Sequence, residues 1–227
     1  MPKLSVIVPV YNEEATISQV IDKINSVSID KEIIVVDDSS TDGSGSILRG
    51  LQYPNLKVIH HSTNRGKGAA VVTGLSQASG EYVIVQDADL EYDPQDCVKL
   101  VDCAVKNNLP VVYGSRFKQS WKVTSFWHYL VNSFLTSFTN ILFGASLTDM
   151  ETCYKLIRLD LAKELNLQAK RFEIEPEITA KILKKGYKIV EIPISYKGRS
   201  YNEGKKIGWK DGVGALWCLV RLRLTKN

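Results

Sequence analysis

Short apolar runs alternate along the chain with stretches in which apolar residues recur every three or four positions. Four runs in the first half have the length and composition of buried strands, at residues 4–9, 32–36, 57–60 and 82–85. The stretch at 16–24 places its apolar residues on one helical face. Because strands alternate with helices, the pattern predicts an α/β fold with a doubly wound, mostly parallel central sheet and right-handed crossovers.

The second half of the chain continues this alternation. A fifth strand ends just before Arg116, and apolar runs predict further strands at 153–157 and 187–196. A helix is predicted at 176–185, because Gly186 is a typical stop signal after lysines in a last helical turn. At 227 residues the chain fits one domain.

Two amphipathic stretches stand apart from this alternation. Residues 126–147 contain no Asp, Glu, Lys or Arg, yet carry too many other polar groups for a transmembrane span, and we expect no transmembrane domain. Their uncharged polar face predicts a groove lining, a membrane interface or an internal core helix. Residues 207–223 carry an aromatic stripe with basic flanks, which suits a helix on an anionic membrane, or one packed on the domain or a second subunit.

Composition and charge exclude several classes of protein. A hydrophobic share of 44% with 24% charged residues is typical of a folded globular chain. The net charge of +4 is too mild to predict nucleic-acid binding, but is compatible with anionic ligands or lipid head groups. Four cysteines without close spacing indicate reduced thiols in a cytoplasmic protein, not a zinc site. The N-terminus has no signal-peptide pattern.

Acidic residues at alternate positions follow the strand at 82–85. Because side chains alternate along an extended segment, Asp87, Asp89 and Glu91 are predicted to point the same way. Their carboxylates are hard oxygen ligands suited to Mg²⁺ or Mn²⁺, whereas the alternative is a capped turn. Asp93, directly before Pro94, is expected only to begin the next helix.

Polar clusters also follow the other strands of the first half. They lie at residues 9–13, 37–42, 64–68 and 87–91. The carboxyl ends of parallel strands share one edge of the sheet, where open α/β folds bind ligands, so the clusters predict a nucleotide crevice.

The glycine-rich segment at 64–68 matches neither common phosphate-binding motif. It lacks the spacer and the Ser or Thr of a Walker loop, and no GxGxxG follows the first strand. Gly66, Lys67 and Gly68 at a helix start can bind an anion through backbone N–H groups and the ammonium. The alternative is an ordinary glycine-rich helix entry with a solvated lysine.

Several motifs together resemble one enzyme family. Four segments of the first half resemble motifs of the family-2 glycosyltransferases: VPVYNEE at 8–14, VDDSS at 36–40, NRGKG at 64–68 and QDAD at 86–89. Members of this family are inverting enzymes of the nucleotide-diphospho-sugar (GT-A) fold. Three further segments resemble motifs of the polyprenyl-phosphate branch of this family: GSR at 114–116, TDMETCYK at 148–155 and IPISY at 192–196. This branch includes dolichol-phosphate mannosyltransferases and undecaprenyl-phosphate glucosyltransferases.

The resemblance implies roles for matched residues. Those implied to hold the base and ribose of a sugar nucleotide are Pro9, Tyr11, Glu13 and Asp38. Asp87 and Asp89 would bind Mg²⁺ or Mn²⁺ at the diphosphate, with Glu91 as a candidate third ligand. Lys67 is a further candidate for substrate binding. The predicted catalytic residues are Asp89, Arg116 and Asp149.

A phosphate acceptor sets its own chemical demand. Its second pKa is about 6, so it is mostly ionised at neutral pH and needs cations more than a general base. Arg116 and Arg199 are the candidates, since a guanidinium can bind phosphate through two hydrogen bonds. Asp149 either removes a residual proton or orients the phosphate, or it only caps the turn after Leu147.

The predicted function is inverting, metal-dependent transfer of a sugar from GDP-mannose or a UDP-sugar to a polyprenyl phosphate. Residues 1–115 would form the nucleotide-sugar and metal half of a single domain, and 116–227 the acceptor half. The protein is expected to be cytoplasmic and peripheral on the cytosolic membrane face. Because many members of this branch carry C-terminal transmembrane helices, a membrane-anchor subunit or a homo-oligomer is a predicted partner. The alternatives are a soluble enzyme with a glycan or protein hydroxyl acceptor, and a catalytically silent sugar-nucleotide-binding module.

Overall fold

The computed structural model describes residues 2–118, 126–198 and 209–225. Its strands are β1 (Leu4–Val10), β2 (Lys31–Asp37), β3 (Leu56–His60), β4 (Tyr82–Val85), β5 (Val111–Ser115), β6 (Lys155–Arg158) and β7 (Val190–Pro193). Its helices are α1 (Ile17–Ser26), α2 (Ser44–Gly50), α3 (Lys67–Gln77), α4 (Asp96–Lys106), α5 (Phe126–Phe143), α6 (Leu159–Glu164), α7 (Ile174–Lys184) and α8 (Trp209–Leu224).

The strands form one sheet in the order β3-β2-β1-β4-β6-β5-β7. Every neighbouring pair is parallel except those that β6 makes with β4 and β5. The predicted α/β fold with a mostly parallel sheet is therefore confirmed, and the reversed β6 is the departure from it. Arg116, just after β5, contacts Asp149, which precedes β6. Since the chain enters β6 at the edge where β5 ends, β6 must run back across the sheet.

Both faces of the sheet are covered by helices. Alternate residues of β2 show this, because Val35 packs into the cluster with α1 and α4, whereas Ile34 packs into the cluster with α3 and α7. Burial on both faces explains why the central strands read as continuous apolar runs. The helices hold the sheet on both faces, and the polar loops extend from the carboxyl ends of its strands.

Helix α5 buries its polar residues and exposes several of its apolar residues, which is the reverse of the usual arrangement. Its polar residues Asn132, Thr136 and Thr139 are buried, while Trp127 and Ile141 are 74% and 81% exposed. The inward hydroxyl and amide groups are satisfied, since the Thr136 hydroxyl accepts a bond from the Met150 N–H (3.1 Å). The interpretation of this stretch as an internal core helix therefore holds only for its buried side, because most apolar side chains on the other side are exposed.

Helix α8 packs beside α5 and α7, and Leu219 lies in their shared cluster. This contact agrees with the alternative in which the tail packs on the domain, although Trp217 on its outer side is 69% exposed. Among the residues that the structure describes, no helix is both long and apolar enough to cross a membrane.

Candidate active site

A cavity of about 1560 Å³ opens at the carboxyl edge of the sheet. The predicted site residues that line it are Pro9, Tyr11, Glu13, Asp38, Lys67, Asp87, Asp89, Glu91 and Arg116. Asp149 lies behind Arg116, and Arg199 falls outside the described residues. The strands thus bring nearly all of the predicted residues to one place, as their positions at strand ends indicated.

The acidic loop after β4 contains a left-handed residue, Leu90, with φ of 63°. A branched apolar residue rarely adopts this conformation, so the surrounding structure must hold the loop in it. Asp89 Oδ1 accepts a hydrogen bond from the Glu91 N–H (3.2 Å), and Glu91 Oε2 accepts one from the Tyr196 hydroxyl (2.6 Å). Asp93 Oδ1 accepts the Gln95 N–H (3.1 Å) just before α4, which confirms its predicted role in starting the helix.

Two of the acidic side chains fit the chemistry of a divalent cation. Asp87 and Asp89 line the cavity and offer carboxylate oxygens, the donors that Mg²⁺ and Mn²⁺ prefer. Within residues 2–118, 126–198 and 209–225, no three His, Cys, Asp or Glu side chains are gathered as metal ligands. The set of three with Glu91 is therefore not preassembled, and metal binding stays a prediction.

Lys67 lies at the base of the cavity between two carboxylates. Its Nζ is 2.7 Å from Asp87 Oδ1 and 3.3 Å from Glu175 Oε1. Burial alone would lower the pKa of Lys67, but the charges of Asp87 and Glu175 raise it well above its ordinary value. Lys155 binds Glu175 from the other side (2.7 Å). The alternative of a solvated lysine is wrong, because the ammonium of Lys67 is half-buried and paired with two carboxylates.

The glycines beside Lys67 are required by close packing. A Cβ on Gly68 would lie 2.3 Å from the Ala169 carbonyl oxygen, and one on Gly66, whose φ is 91°, would lie 2.4 Å from the Lys170 oxygen. The Ala69 N–H donates to this Lys170 carbonyl (3.1 Å). Because residues 169–170 pass so close to both glycines, the positions require glycine for packing. This favours the structural interpretation of the glycines over a site that binds an anion through backbone N–H groups.

Asp38 fixes the same loop from below. Its Oδ2 accepts the Gly66 N–H (2.7 Å), and its Oδ1 accepts the Arg65 N–H (2.9 Å). His61 Nδ1 lies 2.6 Å from Oδ1, and His61 Nε2 lies 3.0 Å from the Thr73 hydroxyl. The carboxylate is therefore a buried support for the loop, and its contact with a base or ribose stays a prediction.

A buried ion pair forms the opposite side of the site. Asp149 is fully buried and binds Arg116 through Nε and Nη2, both at 2.7 Å. The Arg116 backbone N–H (3.0 Å) and Asn132 Nδ2 (3.2 Å) also donate to Asp149. The rings of Phe117 and Tyr196 lie 5.2 and 5.1 Å from the guanidinium carbon. Burial acts to lower the pKa of Arg116, but Asp149 raises it well above its ordinary value. Both carboxylate oxygens of Asp149 already accept hydrogen bonds from the guanidinium, which favours a positioning role for this residue.

Sequence reasoning assigned no role to Glu151 or Glu175. Glu151 lines the cavity, and its Oε1 is buried without a hydrogen-bond partner in the described part of the chain. Burial raises the pKa of this carboxyl to about 7, Lys155 and Arg116 oppose the rise, and Glu175 and Asp149 add to it. The only sequence signal is that acids stand within otherwise apolar stretches, which does not tell which acid faces a cavity.

Three further cations line the cavity, namely Arg65, Lys170 and Arg171. Together with Lys67 they place positive charge around the acidic loop. This arrangement suits an anionic ligand such as a diphosphate.

Residues 5–165 match the family model of glycosyl transferase family 2. Over 91% of its length the chain is 31% identical to a dolichol-phosphate mannosyltransferase of Pyrococcus furiosus, although it spans only 60% of that protein. It is 26% identical to an undecaprenyl-phosphate mannosyltransferase of Micrococcus luteus, with 96% of this chain and 97% of that protein covered. A polyprenol monophosphomannose synthase of Mycolicibacterium smegmatis is 28% identical, with 89% and 80% covered.

Solved structures share the fold. Glucosyl-3-phosphoglycerate synthase from Mycobacterium tuberculosis, in complex with Mg²⁺ and uridine-diphosphate, matches all of this chain and 81% of its own with a TM-score of 0.71 and 21% identity. S. aureus TarS in complex with UDP-GlcNAc matches 97% of this chain and 66% of its own with a TM-score of 0.64 and 20% identity. These likenesses confirm the GT-A fold that the sequence motifs implied. With a family match over most of its length, the chain belongs to glycosyl transferase family 2.

Proposed function

We propose that the protein transfers a sugar from a nucleotide-diphospho-sugar to a polyprenyl phosphate at a membrane surface, with inversion and with Mg²⁺ or Mn²⁺. One observation carries the proposal. A single cavity joins the Asp87 and Lys67 end to Arg116 and continues onto the outward apolar face of α5. The relatives are named as transferases that act on dolichol, undecaprenyl or polyprenol phosphates, and this supports the same reaction.

The donor would occupy the end of the cavity beside the acidic loop. Asp87 and Asp89 would hold the divalent cation, which when bound stabilises the charge that develops on the leaving diphosphate. Asp87 and Glu175 already hold the Lys67 ammonium beside this position, so it would reach the diphosphate without a large movement. Arg65, Lys170 and Arg171 line the same space and attract an anionic donor.

The acceptor phosphate would bind at Arg116. Asp149 takes the Nε and Nη2 donors of this guanidinium, which leaves its orientation fixed before any ligand arrives. An ionised phosphate needs no strong base, so a fixed cation is the main requirement. Attack from the Arg116 side on a sugar whose diphosphate lies at the opposite end would invert the anomeric centre.

The lipid chain of the acceptor would lie against α5 and α8. The apolar residues that line the cavity beyond Arg116 are Trp127, Leu130, Val131, Phe134, Leu135, Val213, Ala215 and Leu216. Several of them are exposed although α5 buries its polar face, so the helix keeps its apolar face outward. Such a surface suits a prenyl chain and the edge of a bilayer.

A donor panel against one acceptor tests the reaction. GDP-mannose, UDP-glucose and UDP-N-acetylglucosamine are each incubated with an undecaprenyl phosphate, and the lipid product is identified by mass spectrometry. We expect a glycosyl phosphoprenol from one donor and no product from undecaprenol, which lacks the phosphate. Product only with glycan or protein hydroxyls would favour the soluble alternative, whereas nucleotide binding without any product would favour the silent module.

The membrane contact predicts a difference between two matched valines. Val131 on α5 is 54% exposed at the proposed lipid face, and Val105 on α4 is 46% exposed elsewhere. We expect Val131→Asp to lower the partition coefficient onto vesicles by about tenfold, since it removes an apolar side chain that would be buried in the bilayer. Flotation with phosphatidylcholine vesicles containing phosphatidylglycerol measures the bound fraction.

Val105→Asp changes the net charge by the same amount, so it controls for electrostatic repulsion from the anionic lipid. It should bind like the unmodified chain. Equal losses in both variants, or no binding by the unmodified chain, would contradict the proposed membrane face.

A further inference from the structure

We propose that Glu151 accepts a hydrogen bond from a hydroxyl of the transferred hexose and thereby determines which sugar the enzyme accepts. The inference rests on the proposed sugar transfer and names a residue that fixes its specificity. It is carried by the position of Glu151 in the cavity, by its unpartnered oxygen and by the rigidity of its backbone.

Glu151 lies on the short segment that connects the two charged ends of the site. Asp149 at its start pairs with Arg116, and Lys155 at its end pairs with Glu175, which in turn pairs with Lys67. In an in-line transfer the hexose must lie between the leaving diphosphate and the attacking phosphate. A residue that lines the cavity between the two ends therefore faces the sugar ring.

The chemistry of Glu151 calls for a donor from the ligand. Its Oε1 is buried and accepts no hydrogen bond from the described residues. The nearby cations are already bound, since Lys155 Nζ donates to the Glu175 carbonyl (2.8 Å) and to Glu175 Oε2 (2.7 Å). Ionised phosphates offer only acceptors, whereas each hexose hydroxyl is a donor. Of the leaving diphosphate, the hexose and the acceptor phosphate, only the hexose carries hydroxyl donors for this oxygen.

The backbone directly after Glu151 is held in place. The Thr152 hydroxyl donates to the Gly114 carbonyl (2.6 Å), and the Cys153 N–H donates to the Tyr92 hydroxyl (3.0 Å). Both neighbours are buried, so the carboxyl is presented by a fixed segment at the entrance to β6. Epimeric sugars differ in the direction of one hydroxyl, and a rigid buried acceptor discriminates strongly between such directions.

The experiment compares donors and their singly deoxygenated analogues by calorimetry. The donor found in the panel, its 2-, 3-, 4- and 6-deoxy forms and the free nucleoside diphosphate are titrated into the unmodified chain, Glu151→Ala and Glu151→Gln. We expect the unmodified chain to bind one deoxy form about tenfold more weakly than the donor, the value of one charged hydrogen bond. Glu151→Ala should bind both equally, and its affinity for the free diphosphate should change less than about twofold.

Glu151→Gln keeps an acceptor oxygen, so it should retain part of the discrimination and serves if the alanine variant does not fold. Glu164→Ala, an exposed glutamate paired with Lys185, is the matched control and should behave as the unmodified chain. Undiminished discrimination in both Glu151 variants, or an equal loss of affinity for donor and free diphosphate, would overturn the assignment. No binding of any sugar nucleotide to the unmodified chain would instead overturn the proposed function, and the assignment with it.

Discussion

Arg116→Ala is expected to lower kcat/KM by about a thousandfold and the free energy of unfolding by about 3–5 kcal/mol. The activity falls because the acceptor phosphate loses its cation. The stability falls because the buried Asp149 carboxylate keeps, among the described residues, only the Asn132 amide and the backbone N–H of residue 116 as donors, at 3.2 and 3.0 Å. Urea denaturation and the transfer assay measure the two losses separately.

An exposed ion pair provides the matched control. Arg158 Nε lies 2.7 Å from Asp160 Oδ1, the same separation as in the buried pair, but the two side chains are 41% and 60% exposed. Arg158→Ala should therefore cost less than about 1 kcal/mol and leave activity unchanged. The contrast isolates burial as the cause, because the chemical change and the distance are the same.

Arg116→Lys keeps the charge and separates the two effects if the alanine variant does not fold. An ammonium cannot bind Asp149 and a phosphate with the planar geometry of a guanidinium. We expect kcat/KM for the polyprenyl phosphate to fall while the affinity for the sugar nucleotide is kept. Full activity of the lysine variant would contradict the assignment of Arg116 to the acceptor.

Asp89→Asn is expected to lower kcat by about a hundred- to a thousandfold, because it removes a ligand of the cation that stabilises the leaving diphosphate. It is a cleaner test than Asp87→Asn, since Asp87 also holds Lys67 and helps to raise the pKa of that lysine. Chelation should abolish the activity of the unmodified chain, and added Mg²⁺ or Mn²⁺ should restore it. The transfer assay measures both effects.

Asp93→Asn makes the same chemical change on the same loop. Asp93 is exposed and accepts the Gln95 N–H at the start of α4, outside the lining of the cavity. Its replacement should leave kcat within about twofold, since it alters only a local hydrogen bond at the surface. An Asp89→Asn variant as active as this control, or activity that survives chelation, would exclude the proposed metal role.

The general fold was predictable because strands that are buried on both faces appear in the sequence as continuous apolar runs. Ile34 and Val35 pack against opposite helical layers, so both had to be apolar. The direction of β6 was not predictable, because its apolar run reads the same in either direction. The faces of α5 were predicted correctly, but not which of them lies inside. An apolar stripe normally faces the core, whereas here Thr136 and Asn132 find partners in the segment at Asp149 and Met150.

Some residues of the candidate site could also be predicted from the sequence, and others could not. Asp87 and Asp89 were identifiable because their spacing and their place after β4 are local features of the sequence. The partners of Lys67 were not, since Glu175 lies on α7, more than a hundred positions further along the chain. Ion pairs of this kind depend on tertiary structure, and no local pattern specifies them.

The reversed β6 bears on how proteins of this architecture can change during evolution. We infer that residues 1–115 and 116–227 are not interchangeable modules, because β6 belongs to the second segment yet lies between β4 and β5 of the first. Recombination at residue 115 would take away a strand from the middle of the sheet. New acceptors are therefore reached more easily by substitution along α5 and α8 than by exchange of the whole second half.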